Sequence, residues 1–187
     1  MANNNDNGIM AISTFKAAFD GGTRPNRFKV TIPGVENHVL VKAASIPAET
    51  IGMMQIPFRG RVAKLPGDRA YAEWTFSIID DTTENVRQVL VEWHRIFNDH
   101  RSNIVPKDIL GGSSEEYKSI TVMQLDMQGE EHTGVTLHQC WPIEIGAIDL
   151  SYDTADSLTE FPCTIAYDWL ESATEGGSGQ GGGPMMT

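Results

Sequence analysis

Three stretches of this chain alternate apolar and polar residues with a period of two, and segments rich in glycine and proline separate them. Arg27 to Ile32 places Phe28, Val30 and Ile32 on one face and Arg27, Lys29 and Thr31 on the other. Tyr71 to Ile79 turns Trp74, Phe76 and Ile78 one way and Glu73, Thr75 and Ser77 the other. Phe161, Cys163, Ile165, Tyr167 and Trp169 share a face opposite Glu160, Thr164, Ala166 and Asp168. Side chains switch faces at every strand residue, so each stretch reads as a strand with one buried face.

The remaining elements are placed by breakers and by helical spacing. Ser13 to Phe19 suits a short helix capped by Ser13 and stopped by Gly21-Gly22, and Arg24-Pro25-Asn26 reads as a turn. Pro33-Gly34 ends the first strand, and a second, about His38 to Ala43, follows at hairpin distance. Val86, Val89, Leu90, Trp93 and Phe97 form one apolar stripe, which predicts a helix over Thr83 to Asn98 lying against the sheets. Asp80-Asp81-Thr82-Thr83-Glu84 supplies acids and hydroxyls for its start. Residues 99–116 read as a polar loop. Further strands are expected at Lys118 to Asp126, Val135 to Cys140 and Ile143 to Tyr152. In the last of these the apolar parity slips at Gly146-Ala147, from Ile143 and Ile145 to Ile148, Leu150 and Tyr152, as a β-bulge would make it. Pro162 belongs at an edge or near a strand start. The order of strands, one strong helix and strands again predicts a mainly β chain, an antiparallel β-sandwich or barrel with one flanking α-helix. Residues 1–12 are expected to be a flexible N-terminus, 13–171 a single domain and 172–187 a flexible Gly-rich tail.

Residues 45–66 have a different character. Pro47, Pro57 and Pro66 rule out a central strand, because each removes a ladder donor. Apolar Ile46, Ile51, Met53, Met54, Ile56 and Phe58 are interspersed with Arg59, Arg61 and Lys64. An extended arm or hairpin is expected, roughly Met53 to Phe58 and Arg61 to Leu65. So apolar an arm needs a cover, either its own domain or another subunit.

Charge narrows the partners. Net charge is −11, and it is divided unevenly. Met1 to Lys107 holds 13 basic and 11 acidic residues; Asp108 to Thr187 holds one basic residue, Lys118, and 14 acidic ones. An acidic surface keeps a chain soluble, and opposite fields on the two halves also favour head-to-tail association. Tight nucleic-acid binding, which needs a basic footprint, is not expected. No apolar run is long enough to span a membrane and the N-terminus lacks the regions of a signal peptide, so a chain made and used in a cytoplasm, or released only on cell lysis, is expected. Two cysteines, Cys140 and Cys163, are too few for a disulfide framework and read as small buried hydrophobes. The histidines, His38, His94, His100, His132 and His138, form no H-E-x-x-H pair, and no nucleophile elbow or phosphate loop is present. Cys140 and His138 share a possible strand face without a C-x-x-C partner, and Asp80-Asp81 is explained by capping. Neither an enzyme nor a cofactor is expected.

Several collinear stretches resemble the tail tube protein of contractile-tailed bacteriophages, a family related to type VI secretion tube proteins. They are Arg24-Pro25-Asn26-Arg27-Phe28-Lys29-Val30, Ala44-Ser45-Ile46-Pro47-Ala48, Gly67-Asp68-Arg69 with Glu73 to Asp81, the helix tryptophan Trp93, Trp141-Pro142 with Ile143 to Leu150, and Tyr167-Asp168-Trp169-Leu170-Glu171. The Asn-rich start, a long loop around Val105 to Leu110 and the Gly-rich tail depart from the family pattern. The resemblance implies a structural subunit that forms hexameric rings. These would stack head to tail into a hollow tube inside a contractile sheath, in the virion tail after assembly in the host cytoplasm. Implied partners are further copies, the tail sheath protein, and baseplate and tail terminator proteins. Viral DNA would pass through the channel without specific binding, and no membrane is involved. The inner tube of a type VI secretion or other contractile injection system is the alternative. On this reading Ile46, Met53, Met54, Ile56, Phe58, Arg59, Arg61 and Lys64 are expected to contact a neighbouring subunit or ring. The outward faces of two strands are expected to line the channel: Glu160, Thr164 and Asp168, or Glu73, Thr75 and Ser77.

Overall fold

The period-two stretches become strands whose buried faces meet in one core. A computed structural model of the chain describes residues 12, 14, 16, 19, 22–35, 40–81, 86–111, 114–153 and 157–174. The strands are β1 (Phe28–Thr31), β2 (Val41–Ala44), β3 (Glu49–Phe58), β4 (Arg61–Tyr71), β5 (Trp74–Ile79), β6 (Lys118–Leu125), β7 (Glu131–Ile145), β8 (Glu160–Ala166) and β9 (Trp169–Thr174). The main helix is α1 (Val86–Phe97), and Lys107–Leu110 forms a single further helical turn. Hydrogen bonding follows the order β1-β6-β7-β8-β5-β2, with β9 also on β7 and β3-β4 as a separate two-stranded ribbon. Every pairing is antiparallel. The expected antiparallel sandwich or barrel with one flanking helix is the observed fold.

Strand β7 joins the two halves of the sheet. Its first part lies between β6 and β9, and its last residues, from Trp141, pair with β8. It bends near Gln139, whose φ of 58° is left-handed. The chain from β8 to β9 bends beside it at Tyr167-Asp168, where the Asp168 N–H donates to the His138 carbonyl at 3.1 Å. One register runs through the bend, from Thr133 opposite Thr174 to Pro142 opposite Ile165. The two strands therefore turn the corner together without losing alignment.

The corner folds the sheet over one apolar cluster. Val30, Ile120, Val122, Leu137 and Leu170 meet Trp74, Phe76, Ile78, Phe161, Cys163 and Ile165, and α1 adds Val86, Leu90, Trp93 and Phe97. Trp74 stacks on Phe76 with ring centroids 4.4 Å apart, and its Nε1 donates to the Ser45 carbonyl at 2.7 Å. Trp93 Nε1 donates to the Glu116 carbonyl at 2.9 Å. Both indoles thus bury their rings and still satisfy their single donor. Cys140 and Cys163 are buried free thiols, and desolvation pushes each up to about 12.

Several expectations are corrected. The strands expected at Val135–Cys140 and Ile143–Tyr152 are one strand that ends at Ile145. The register slips between Pro142 and Glu144, not at Gly146-Ala147, and a proline without a donor is tolerated beside such an irregularity. Beyond Ile145 the chain leaves the sheet, so Leu150 is 85% exposed and Tyr152 fully so. Trp169 is 43% exposed rather than inward-facing, because the bend at Tyr167-Asp168 carries it onto β9, where its ring lies 3.8 Å from that of His138. Strands β1 and β2 are not a hairpin: β1 pairs with β6 and β2 with β5. Ile109, within the segment read as a polar loop, is buried, and its carbonyl accepts from the Tyr117 hydroxyl at 3.1 Å. Ser172, Ala173 and Thr174, placed in the flexible tail, are paired with β7. Most of the helix expected at Ser13–Phe19, the start of the second strand at His38 and the first turn of the main helix lie outside the described residues.

Two outcomes test this packing. With both thiols pushed to about 12 and buried, a native sample at mildly alkaline pH should show no reaction with a thiol reagent, and two thiols per chain should titrate after denaturation. At Gly134 an added Cβ would collide with the Val122 carbonyl and lie 2.8 Å from Met123 Cα. Gly134→Ala should therefore destabilise the fold by about 1–3 kcal/mol, read as a lower urea midpoint.

Candidate functional site

Two surfaces carry the residues singled out from the sequence. The first is the ribbon. Met54 pairs with Leu65, Ile56 with Ala63 and Phe58 with Arg61, and paired residues share a face. The turn Arg59-Gly60 has positive φ at both residues (45° and 80°), as a two-residue hairpin loop matching strand twist requires. Gly52 lies against Gly67 and Asp68 where the register shifts, and a Cβ added at either glycine would sit 3.1 Å from the opposing backbone, close enough to push it aside. The ribbon is about 30 Å long, at ~3.3 Å per residue. Ile51, Met53, Met54, Ile56, Phe58, Val62 and Leu65 all remain exposed, Phe58 at 65%. Ile46, at its approach, is exposed too. The expected contact residues thus gather on one projecting element, with Arg59 over the Phe58 ring at 5.4 Å. At its base the Arg69 guanidinium pairs with Glu49 and the Tyr71 ring packs on Tyr167.

The second feature is the polar face of the β7-β8-β5-β2 half. Thr75 is paired with Thr164, and their hydroxyl oxygens are 3.2 Å apart. Ser77 lies opposite Pro162, and Glu160 opposite Ile79. Apart from Asp168, the strand residues of the two alternative sets expected from sequence are therefore neighbours on one surface. Glu73 precedes β5 and is exposed. Asp168 does not join this ladder; it sits in the bend beyond β8. Glu144, not singled out by the sequence reading, faces the same way because it pairs with Thr164. Its signal was the alternation of Ile143, Glu144 and Ile145. Lys42 was missed as well. Its Nζ reaches both Glu160 oxygens, at 2.6 and 2.8 Å, so Glu160 is not an open anion. Only the folded register brings a residue of β2 next to the start of β8.

Among the described residues no three His, Cys, Asp or Glu side chains are placed to hold a metal ion. No helix among them is long and apolar enough to cross a membrane. Strands β1 and β2 end the hydrogen-bonded path, each with one edge unpaired by the described strands.

A family model described as phage tail tube protein matches residues 23–171. The chain is 29% identical over 168 residues to tail tube protein gp19 of Enterobacteria phage T4, covering 87% of this chain and 100% of that protein. It is 23% identical over 172 residues to the tail tube protein of Serratia phage KSP90, covering 85% of this chain and 95% of that one. Among solved structures, the tube-terminating cap of the anti-feeding prophage superposes with a TM-score of 0.65 at 20% identity, covering 88% of this chain and 99% of the cap. A chain of the sheath–tube complex of an extracellular contractile injection system superposes with a TM-score of 0.63 at 14% identity, covering 88% and 99%. The chain belongs to the phage tail tube protein family.

Proposed function

We propose that this chain is the repeating subunit of a phage tail tube. Six copies close into a ring, rings stack within a contractile sheath, and viral DNA passes down the channel during ejection. The carrying observation is the ribbon: an apolar element about 30 Å long, at ~3.3 Å per residue, that the chain's own core leaves uncovered. A two-stranded ribbon is marginal in water by itself, so its length and composition make sense when another copy buries it. Burying each large apolar side chain contributes about 1.5–3 kcal/mol, against roughly 0–1 kcal/mol for each exposed ion pair. Apolar contact therefore holds the joint, and Arg59, Arg61 and Lys64 set its register.

Edge strands support the same reading. Joining the open edges of β1 or β2 to neighbouring copies continues the sheet around a ring and removes a hazard that a solitary subunit would carry. The face bearing Glu73, Thr75, Ser77, Glu144, Glu160 and Thr164 lines the channel. Glu73, Glu144 and Glu160 outnumber Lys42 there among the described residues, so it repels phosphate and offers no counterion-releasing grip on DNA. Sheath, baseplate and terminator proteins are the other partners, the virion tail is the site of action, and assembly takes place in the host cytoplasm. The whole-length sequence relatives are phage proteins, which favours a phage tail over a secretion or injection tube; capsid and portal genes beside this one would agree.

Two outcomes follow. Replacing residues 54–65 by a two-residue Asn-Gly turn should leave a folded subunit that gives no rods by negative-stain microscopy, where the unaltered chain gives rods; normal rods without the ribbon tip would overturn the role given to it. Tubes carrying Thr75→Lys and Thr164→Lys should assemble yet retain added DNA in a salt-dependent way, whereas unaltered tubes retain none at physiological salt.

A further inference from the structure

The ribbon and the acidic loop after β7 lie at opposite ends of the same strands. Strand β5 starts at Trp74, three residues after the ribbon ends at Tyr71, and finishes at Ile79, paired with Glu160. The Asp80 N–H then donates to the Thr159 carbonyl at 2.9 Å, tying that end to the loop. Six residues of strand put about 20 Å between the two places, at ~3.3 Å per residue.

Their chemistry is complementary. From Thr50 to Gly67 the ribbon carries Arg59, Arg61 and Lys64 and no carboxylate. From Glu144 to Glu160 the sequence carries carboxylates and no lysine or arginine. Leu150 and Leu158 are exposed there, and with Pro162, Asp149 and Glu160 they line an open groove. The nearby cations are already engaged at its border: Lys42 pairs with Glu160, so the open carboxylates are Asp149 and Asp153, and Arg87 donates to the Gly146 carbonyl at 3.0 Å and lies over the Phe161 ring. Asp149 and Asp153 have no ion-pair partner among the described residues.

We propose that this groove is the receptor for the ribbon tip of a second copy stacked along the strand direction. Phe58 packs against Leu150 and Leu158, while Arg59 and Arg61 face Asp149 and Asp153. Because the ribbon springs from one end of β5 and the groove lies at the other, the contact joins unlike surfaces, is head-to-tail and does not close on itself after two copies; it propagates. The inference rests on the reading of the ribbon as an inter-subunit arm and names what that arm meets.

A photoreactive benzoyl-phenylalanine in place of Phe58, and separately of Val62, tests it in the full-length chain. Probe-bearing copies are co-assembled with isotope-labelled unaltered copies and irradiated, and the cross-linked peptide is identified by mass spectrometry. The expected product is a labelled peptide from residues 144–162. A labelled peptide from elsewhere overturns the receptor assignment while leaving the arm reading intact. Assembled tubes with no cross-link to labelled chains overturn both. As an independent arm, Asp149→Lys with Asp153→Lys should lower the yield of rods at least tenfold at physiological salt, with the far-UV spectrum unchanged. Normal rod yield from that variant counts against the proposal, including where neither probe-bearing chain assembles.

Discussion

Strand β7 is bonded along much of its length on two sides and passes from one half of the sheet to the other. Its bend at Gln139 is matched by the break at Tyr167-Asp168, and the hydrogen bond from Asp168 to His138 holds the two bends together. The shared corner sets the angle between the halves and hence the space that Trp74, Phe161 and Leu137 fill. It also places α1 over the sheet, where Phe97 packs against Trp141 at 5.8 Å. The polar face of Thr75 and Thr164 is the reverse side of the same core strands, so its flatness and direction depend on that corner.

What the core does not do is as consequential. Among the described residues it makes no use of the large apolar side chains between Ile51 and Leu65, and it leaves β1 and β2 with an open edge each. A chain meant to act alone would cover such features or blunt them with charge. Here charge is segregated, with cations at the ribbon tip and carboxylates in the loop at the far end of β5. A chain with unlike ends and an uncovered apolar projection is suited to the serial association proposed for it.

Electrostatics within the subunit is modest by comparison. The exposed pair Lys42–Glu160 contributes at most about 1 kcal/mol, and the same holds for Lys29–Glu131. Lys42–Glu160 matters more for position, since it reduces the charge of the polar face at its border and ties β2 to the start of β8.

Much of the fold was legible in the residues themselves. Strict alternation around Val30, Phe76 and Cys163 named the strands and their buried faces, helical spacing of Val86, Leu90, Trp93 and Phe97 named the helix, and prolines marked the ribbon as an edge element. These are local properties, fixed by backbone geometry and burial, so local pattern suffices. The rest depended on distant contacts. Parity could not tell that Trp169 turns outward, because the break at Tyr167-Asp168 answers a bend in β7 some 28 residues earlier in the chain. Nor could it tell that Leu150 and Tyr152 lie outside the sheet, that Thr75 and Thr164 share one surface, or that Lys42 meets Glu160. The sequence by itself determined the buried faces around Val30, Phe76 and Cys163 and that the chain carries segregated charge. Only the tertiary structure decided which strands are neighbours and which end each charge occupies, because strand pairing joins residues whose separation in sequence carries no local signal.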